Sequence, residues 1–263
     1  MSLEMFKKSI DEIEGKVPSI KLNLRGESTL HPQLGEFLDY VAGKFLDIRI
    51  NTNGQFNSDP ILFSLMRTCT ELSFSIDAFY ADTYRKIRGG DIKQVEDNIF
   101  RALDLKHLCN PSTTVKLSYT VTLDNAEELI SFKQFWENYP VKLFIKPVMQ
   151  RCGTSTAYFD AEDDYKVKQE VTTSWQIGNR VAIGRKNCFF PQRRLVVASN
   201  GDVYPCCVQW HKPFIVLGNV NKEPLLDMWK DGKIVKLRES LLTNAFRFEA
   251  CEKCESAEAY IWG

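Results

Sequence analysis

The sequence predicts an α/β fold: a curved, open barrel of βα units with a polar interior, followed by a small cysteine-bearing appendage. Three observations predict it. Helical and strand periods alternate from residue 3 to about residue 147, the pattern of a parallel sheet with right-handed crossovers. Every strand-like run carries one apolar and one polar row. A flat doubly wound sheet would bury both faces and read as continuous apolar runs, and a closed eight-stranded barrel would fill its interior with branched apolar side chains. Finally, four cysteines gather near the C-terminus: Cys188, Cys206, Cys251 and Cys254.

The elements follow in order. Phe6, Ile10 and Ile13 mark one face of a first helix, with Ser2 as its N-cap. Ile20 to Arg25 reads as a strand. Pro32 opens a helix that turns Leu34, Phe37, Leu38 and Val41 inward. Leu46 to Asn51 is the next strand, and Asp59-Pro60 starts a helix through Ile61, Leu62, Leu65 and Met66. Glu71 to Asp77 is a strand. A helix from about Ile92 to His107 follows the Gly89-Gly90 break. Thr114 to Leu123 is a strand, Ala126 to Asn138 a helix and Val141 to Pro147 a last strand.

Side chains alternate across a strand. Ile48 and Ile50 therefore oppose Arg49 and Asn51; Leu72, Phe74 and Ile76 oppose Ser73, Ser75 and Asp77; Leu117, Tyr119 and Val121 oppose Lys116, Ser118 and Thr120. Ile20, Leu22 and Leu24 oppose Lys21, Asn23 and Arg25, and Lys142 and Lys146 stand opposite Val141, Leu143 and Ile145. Helices are expected over the apolar rows. The polar rows are expected to line a ligand cavity, the alternative being an uncovered, solvated face. Ligands of such folds sit at the C-terminal strand ends. There the chain places Gly26-Glu27, Thr52-Asn53-Gly54 and Asp77. Glycine permits close backbone approach, and a carboxylate can hold an ammonium group.

Lys+Arg and Asp+Glu are equal at 34 each in 263 residues, which argues against nucleic acid or an anionic membrane held by bulk charge. No apolar run approaches a membrane span and no signal segment opens the chain, so a cytoplasmic protein is expected. In that compartment eight cysteines read as metal or redox ligands before disulfides. Cys69 and Cys109 read as small buried hydrophobes, and Cys152 is ambiguous.

The expected organisation is a barrel over residues 1–150, a connector over 151–186 and a metal-binding domain over 187–263. In the last, Leu195 to Ala198 and Val203-Tyr204 flank Asn200-Gly201, a strong hairpin signal. The hairpin brings Cys188 and Cys206 towards each other. Leu217-Gly218-Asn219 leads to a helix with Leu225, Leu226, Met228, Trp229 and Leu237, and Cys251-Glu252-Lys253-Cys254 closes the set. Four thiolates complete the ligand set of one 4Fe–4S cluster or one zinc ion. Zinc ribbons favour two short pairs, and here one pair is short, which favours iron and sulfide. Cys207 is a substitute ligand beside Cys206.

These residues resemble a known family. Cys188, Gly201-x4-Cys206, Leu217-Gly218-Asn219, Met228-Trp229 and Cys251-x2-Cys254 together resemble the SPASM domain of radical S-adenosylmethionine (SAM) enzymes, in its single auxiliary-cluster form. The N-terminal part resembles the radical SAM partial (β/α)6 barrel. Gly26-Glu27 matches the inner part of the family's Gly-Gly-Glu-Pro motif, which holds the amino group of SAM, although Arg25 and Ser28 replace the outer residues. Thr52-Asn53-Gly54 matches the family's Thr-Asn-Gly, and Ser75-Ile76-Asp77 its Ser-x-Asp strand end facing the ribose. Tyr84-Arg85-Lys86-Ile87-Arg88-Gly89 resembles the stretch that follows.

The resemblance implies SAM held by Gly26, Glu27, Asn53, Ser75 and Asp77, and an auxiliary 4Fe–4S cluster on Cys188, Cys206, Cys251 and Cys254. It implies an oxidoreductase or modifying enzyme using 5′-deoxyadenosyl-radical hydrogen abstraction, with the auxiliary cluster accepting an electron or placing substrate. Its partners would be a reducing electron donor and a sugar-like alcohol or a peptide substrate. No residue stands out as a general base. One departure is plain: the family's Cys-x3-Cys-x2-Cys motif, which seats the cluster that chelates SAM, is absent. Met1 to Phe6 resembles family sequence just after that motif, so the first barrel strand is expected to be missing, the edge of Ile20–Arg25 bare, and the chain inactive alone. The alternatives are a non-catalytic cluster-binding partner protein and a structural zinc site.

Overall fold

The structure, a computed structural model, describes residues 1–147, 180–185, 188, 190–207, 215–243, 251 and 258–262. The chain forms two compact units, one of Glu14–Pro147 and one of Met1–Ile13 with Val148–Gly263.

The first unit is built on five parallel strands in sequential order: β1 (Ser19–Lys21), β2 (Asp47–Thr52), β3 (Glu71–Ser75), β4 (Thr114–Val121) and β5 (Lys142–Pro147). The crossovers carry α2 (Leu34–Val41), α3 (Asp59–Thr68), α4 (Ala81–Arg88), α5 (Ile92–Cys109) and α6 (Leu129–Trp136), counted after an opening helix α1 (Leu3–Ile13). The apolar strand rows are closed over: Ile50, Leu72, Phe74, Leu117, Tyr119 and Val121 are fully buried. Each such side chain contributes roughly 1.5–3 kcal/mol. Ser58 caps α3 by accepting from Ile61 N, with Pro60 in the first turn, and Asp91 caps α5 by accepting from Lys93 N.

Several expected boundaries move, each for a local reason. β1 ends at Lys21 rather than Arg25. Leu22 N still donates to Arg49 O at 2.9 Å; beyond it the chain leaves the sheet, and the Asn23 side chain takes over by accepting from Asn51 N at 3.1 Å. A three-residue strand paired on one side is a short edge, the form least able to recruit another chain. The helix expected over Ala126–Asn138 begins as a 3-10 turn (Ala126–Glu128) before α6.

α4 lacks the apolar period that marks the other helices, and Tyr84 alone among its residues is buried. Its signals were present: Asp82 in the first turn, Arg85, Lys86 and Arg88 in the last, and Gly89 as a left-handed cap at φ +74° whose N–H donates to Arg85 O.

The second unit contains the predicted hairpin. Val196–Val197 pairs antiparallel with Asp202–Tyr204, and Gly218–Asn219 adds a third strand. Gly201 sits at φ +87°, and its N–H closes the turn on Ala198 O at 2.9 Å. A Cβ there would meet Asn219 Oδ1 and Asn221 Nδ2, each at 2.9 Å. The single helix expected after Leu217-Gly218-Asn219 is two, Leu225–Lys230 and Gly232–Leu242. Asp231 divides them by accepting from Lys233 N as a fresh N-cap. The apolar stretch at Val181-Ile183 lies in a strand, Arg180–Arg185, paired antiparallel with Glu258–Trp262.

Helix α1 precedes the sheet in sequence, yet packs in this second unit. Ser2 caps it by accepting from Met5 N. Met5 and Ile13 lie against a core of Val203, Leu217, Val220, Leu225, Met228 and Ile234. Lys8 Nζ donates to Val220 O at 2.8 Å, and Glu12 accepts from Leu226 N at 2.8 Å. Among the described residues no helix is long and apolar enough to cross a membrane.

Candidate functional site

The C-terminal ends of β1, β2 and β3 carry the predicted SAM-binding residues. Gly26 takes φ +67° with open space around its Cα. It turns the chain so that Glu27, half-buried, points across to the loop after β2. Glu27 Oε2 accepts from Asn53 N at 2.7 Å, while Oε1 accepts from Thr29 N at 3.1 Å and Thr29 Oγ1 at 2.9 Å. A carboxylate has about four acceptor positions, so one remains for an incoming ammonium.

Asn53 spends its side chain on its own loop, accepting from Gln55 N at 2.9 Å. Gly54, at φ +74°, is packed hard: a Cβ would lie 2.8 Å from Val95 Cγ1 and 3.2 Å from Phe74 Cδ1. Buried Asn98, on α5, locks this loop by donating to Gly54 O and Phe56 O at 2.9 and 2.8 Å. Glu27 and Asn53 are thus brought together directly.

Asp77 sits two residues beyond β3 with φ +49°, the one non-glycine residue at positive φ among those described. Its buried carboxylate is engaged with protein groups: Oδ1 accepts from Thr120 N at 2.5 Å and Oδ2 pairs with Arg88 at 2.6 Å. Asn125 Nδ2 donates to Asp77 O at 2.8 Å and to Thr120 O at 2.9 Å. This residue therefore ties β3, β4 and the end of α4 together. Ser75 is part-buried and in register with Ser118.

Glu128, almost fully buried, accepts from Phe79 N and Tyr80 N at 2.7 and 3.2 Å, just ahead of α4. Tyr84, in the middle of α4, meets Gln55 Nε2 at 3.4 Å, and burial pushes its phenol above the usual range. Asn98, Asn125 and Glu128 were missed by sequence reasoning. Each follows another charged residue with no motif around it, and only its buried position shows its role.

The polar rows have a graded character. Arg49 and Lys142 are exposed, whereas Ser73 and Ser118 are buried. Asn51 Oδ1 and Ser73 Oγ, partners in register, are buried without a hydrogen-bond partner. Lys116 pairs with Glu71 and lies 5.2 Å from the Phe144 ring centroid. Phe144 shares this face, so the β5 row is not wholly polar. Lys146 is part-buried.

Of the four candidate metal ligands, Cys188, Cys206 and Cys251 are part-buried, and Cys254 lies outside the described residues. Among the described residues no group of three or more His, Cys, Asp or Glu side chains is placed to hold a metal. The four cysteines belong to one unit, and four thiolates are the donor chemistry of a cluster site. Asn219 staples the hairpin, donating to Asn200 O at 3.2 Å and to Asp202 Oδ1 at 2.9 Å. Cys207 is also part-buried, and Cys152 lies outside the described residues. Cys69 is fully buried and desolvation pushes its thiol up to about 12, as expected of a core residue, while Cys109 is only part-buried.

Known proteins resemble this chain both over the cysteine-bearing segment and over nearly its whole length. Residues 188–255 match the SPASM family, described as an iron-sulfur cluster-binding domain. The mycofactocin maturase MftC of Mycolicibacterium smegmatis is 24% identical over 280 residues, covering 95% of this chain and 69% of the maturase. SuiB of Streptococcus suis, solved with precursor peptide SuiA, superposes with a TM-score of 0.70 at 14% identity, covering 97% of this chain. BtrN in complex with AdoMet and 2-DOIA superposes with a TM-score of 0.59 at 16% identity, covering 97% of this chain and 80% of BtrN. The chain spans 63% of the length of SuiB.

Proposed function

From a chain that belongs to the radical SAM/SPASM family, we propose an oxidoreductase or modifying enzyme that binds SAM at the ends of β1–β3 and a 4Fe–4S auxiliary cluster at Cys188, Cys206, Cys251 and Cys254. The observation that carries the reading is the SPASM match, whose 188–255 span encloses all four cysteines. SAM, when bound and reduced, supplies hydrogen-abstraction chemistry.

The chain's own residues bind and orient. Glu27 offers its remaining acceptor position to the SAM ammonium, beside the Asn53 backbone it already holds. Gly26 and Gly54 allow close backbone approach, and Asp77 and Arg88 keep the β3 end in register with β4. Part-buried Ser75 supplies a hydroxyl at the same edge. The auxiliary site takes up an electron or positions substrate. A reducing electron donor completes the cycle.

For the substrate we favour a peptide over a sugar-like alcohol. The curated relative is a maturase, and SuiB was solved with a precursor peptide. The alcohol reading rests on the single-cluster resemblance, beside BtrN, which was solved with AdoMet and 2-DOIA. We place the protein in the cytosol, where eight cysteines stay available as ligands. The 263 residues hold no Cys-x3-Cys-x2-Cys triplet, so turnover is tested in protein that includes one, whereas the auxiliary cluster and the SAM edge are tested directly.

Anaerobic reconstitution with iron and sulfide should load about four irons on this chain, and Cys251→Ala or Cys254→Ala should abolish retention. Zinc without iron, or unchanged iron in Cys251→Ala, overturns the cluster assignment. Glu27→Gln should weaken SAM about tenfold or more by calorimetry, the weight of one charge-assisted hydrogen bond. Equal affinity removes Glu27 from the site.

A further inference from the structure

Arg238, on the Gly232–Leu242 helix, is held by an aromatic ring and two backbone carbonyls. Its guanidinium lies over the Trp229 ring at 3.8 Å to the centroid, a cation–π distance. Nη1 donates to Trp229 O and Nε to Pro191 O, both at 2.9 Å. Gln192 Nε2 reaches back to Arg238 O at 3.3 Å. The third nitrogen, Nη2, is buried without any hydrogen-bond partner. No carboxylate is paired with this side chain among the described ion pairs. A buried N–H on a charged group is costly to leave unsatisfied, so a donor held rigidly by two neighbours and left open points to an acceptor.

The segment that Arg238 grips is the one that follows Cys188. Pro191 is three residues from that cysteine, a chain length that reaches at most about 11 Å. A cluster ligated by four thiolates is a net anion with sulfur acceptors. Hydrogen bonds to its sulfurs and charges near it set its potential.

We propose that Arg238 is a positioning and tuning residue of the auxiliary cluster site. It ties the Phe190–Arg193 helix, three residues on from Cys188 at Pro191, to Trp229 and offers Nη2 and its positive charge to the thiolate–sulfide centre. The inference rests on the cluster assignment made above, and goes beyond it by naming a group that the cysteine pattern does not contain. Met228-Trp229 acquires a role in the same step: Trp229 supplies the ring and the carbonyl that hold the guanidinium.

The experiment compares the reconstituted protein with Arg238→Gln and Arg238→Lys. Folding is monitored by circular dichroism, and iron content, chelator-induced bleaching and reduction potential are measured anaerobically. Arg238→Gln should lower the midpoint potential and speed bleaching, because charge and donor are both lost. Arg238→Lys should keep the potential nearer the parent value but bleach faster, because it retains charge without the fork that clamps Pro191 and Trp229. If Arg238→Gln does not fold, the comparison of Arg238→Lys with the parent decides by the bleaching rate. A loaded parent with both variants unchanged in potential and bleaching overturns this inference alone. A parent that binds no iron overturns the cluster assignment and this inference with it.

Discussion

Asp77→Ala should destabilise the sheet unit by about 3–5 kcal/mol, and three contributions lead to that figure. Asp77 is held at φ +49°; aspartate tolerates this region, whereas alanine there costs about 1–2 kcal/mol. Thr120 N would lose its 2.5 Å acceptor, an unmet buried donor worth about 1–3 kcal/mol. The ion pair has a carboxylate 10% exposed and an Arg88 side chain 28% exposed. Released Arg88 can turn to water, so this loss falls well below the roughly 3–5 kcal/mol of a fully buried pair, near 1 kcal/mol. The terms overlap, which keeps the total below their sum.

Asp77→Asn retains the backbone tolerance and an oxygen for Thr120 N. It should cost only about 1–2 kcal/mol, mainly from the lost charge. Urea unfolding of both variants, with Arg88→Ala alone and combined with Asp77→Ala, forms a double-mutant cycle. Once Asp77 is alanine, removing Arg88 should add little. Equal stability of the alanine and asparagine variants, or strict additivity in the cycle, would refute this account of the strand end. SAM titrations on the same proteins test its functional consequence: Asp77→Asn should bind more tightly than Asp77→Ala.

Gly54→Ala should cost about 2–5 kcal/mol, from positive φ plus the close approach to Val95 and Phe74. Gly26→Ala, equally left-handed but in open space, should cost only about 1–2 kcal/mol, and matched unfolding midpoints would contradict the packing contribution. Cys69 has its thiol pushed up to about 12 by burial, from an ordinary 9.0. Its stabilising contribution is complete below pH 9.0 and is lost as pH rises towards about 12, because the unfolded chain releases the proton first. Parent protein should therefore lose more stability than Cys69→Ala between pH 8 and pH 10, and parallel losses would show the thiol to be ordinary. Cys69 should also resist alkylation until the protein is unfolded, as mass spectrometry of peptides would report.

Much of the fold could be read from residue patterns, because burial imposes local periods. Ile48, Ile50, Leu72, Phe74, Leu117 and Tyr119 alternate with polar neighbours, and that alternation marks the strands and the face that helices cover. Pro60 and Gly201 mark a helix start and a hairpin turn because each restricts or frees one dihedral angle. The site was legible as a set of candidates. Gly26-Glu27 and Thr52-Asn53-Gly54 stand out in sequence, and the structure joins them through a single carboxylate. Asn98 within α5 and Glu128 just before α6 carry no such signature: both look like ordinary surface residues until packing buries them, and Arg88 at the end of α4 shows its role only through its pairing with Asp77.

Sequence alone determined the strand–helix alternation and the glycines at the strand ends, since each follows from neighbours within a few residues, and the four-cysteine pattern, since its residue type and spacing are read directly along the chain. Tertiary structure decided the rest. It took α1 from its place before the sheet and set it among C-terminal residues, where Lys8 and Glu12 find Val220 and Leu226. It ended β1 early by letting Asn23 replace the backbone, engaged Asp77 with Arg88 and Thr120, and left one buried nitrogen of Arg238 open. These outcomes join groups far apart in sequence. They depend on which polar atoms lose water together, and a linear pattern does not encode that.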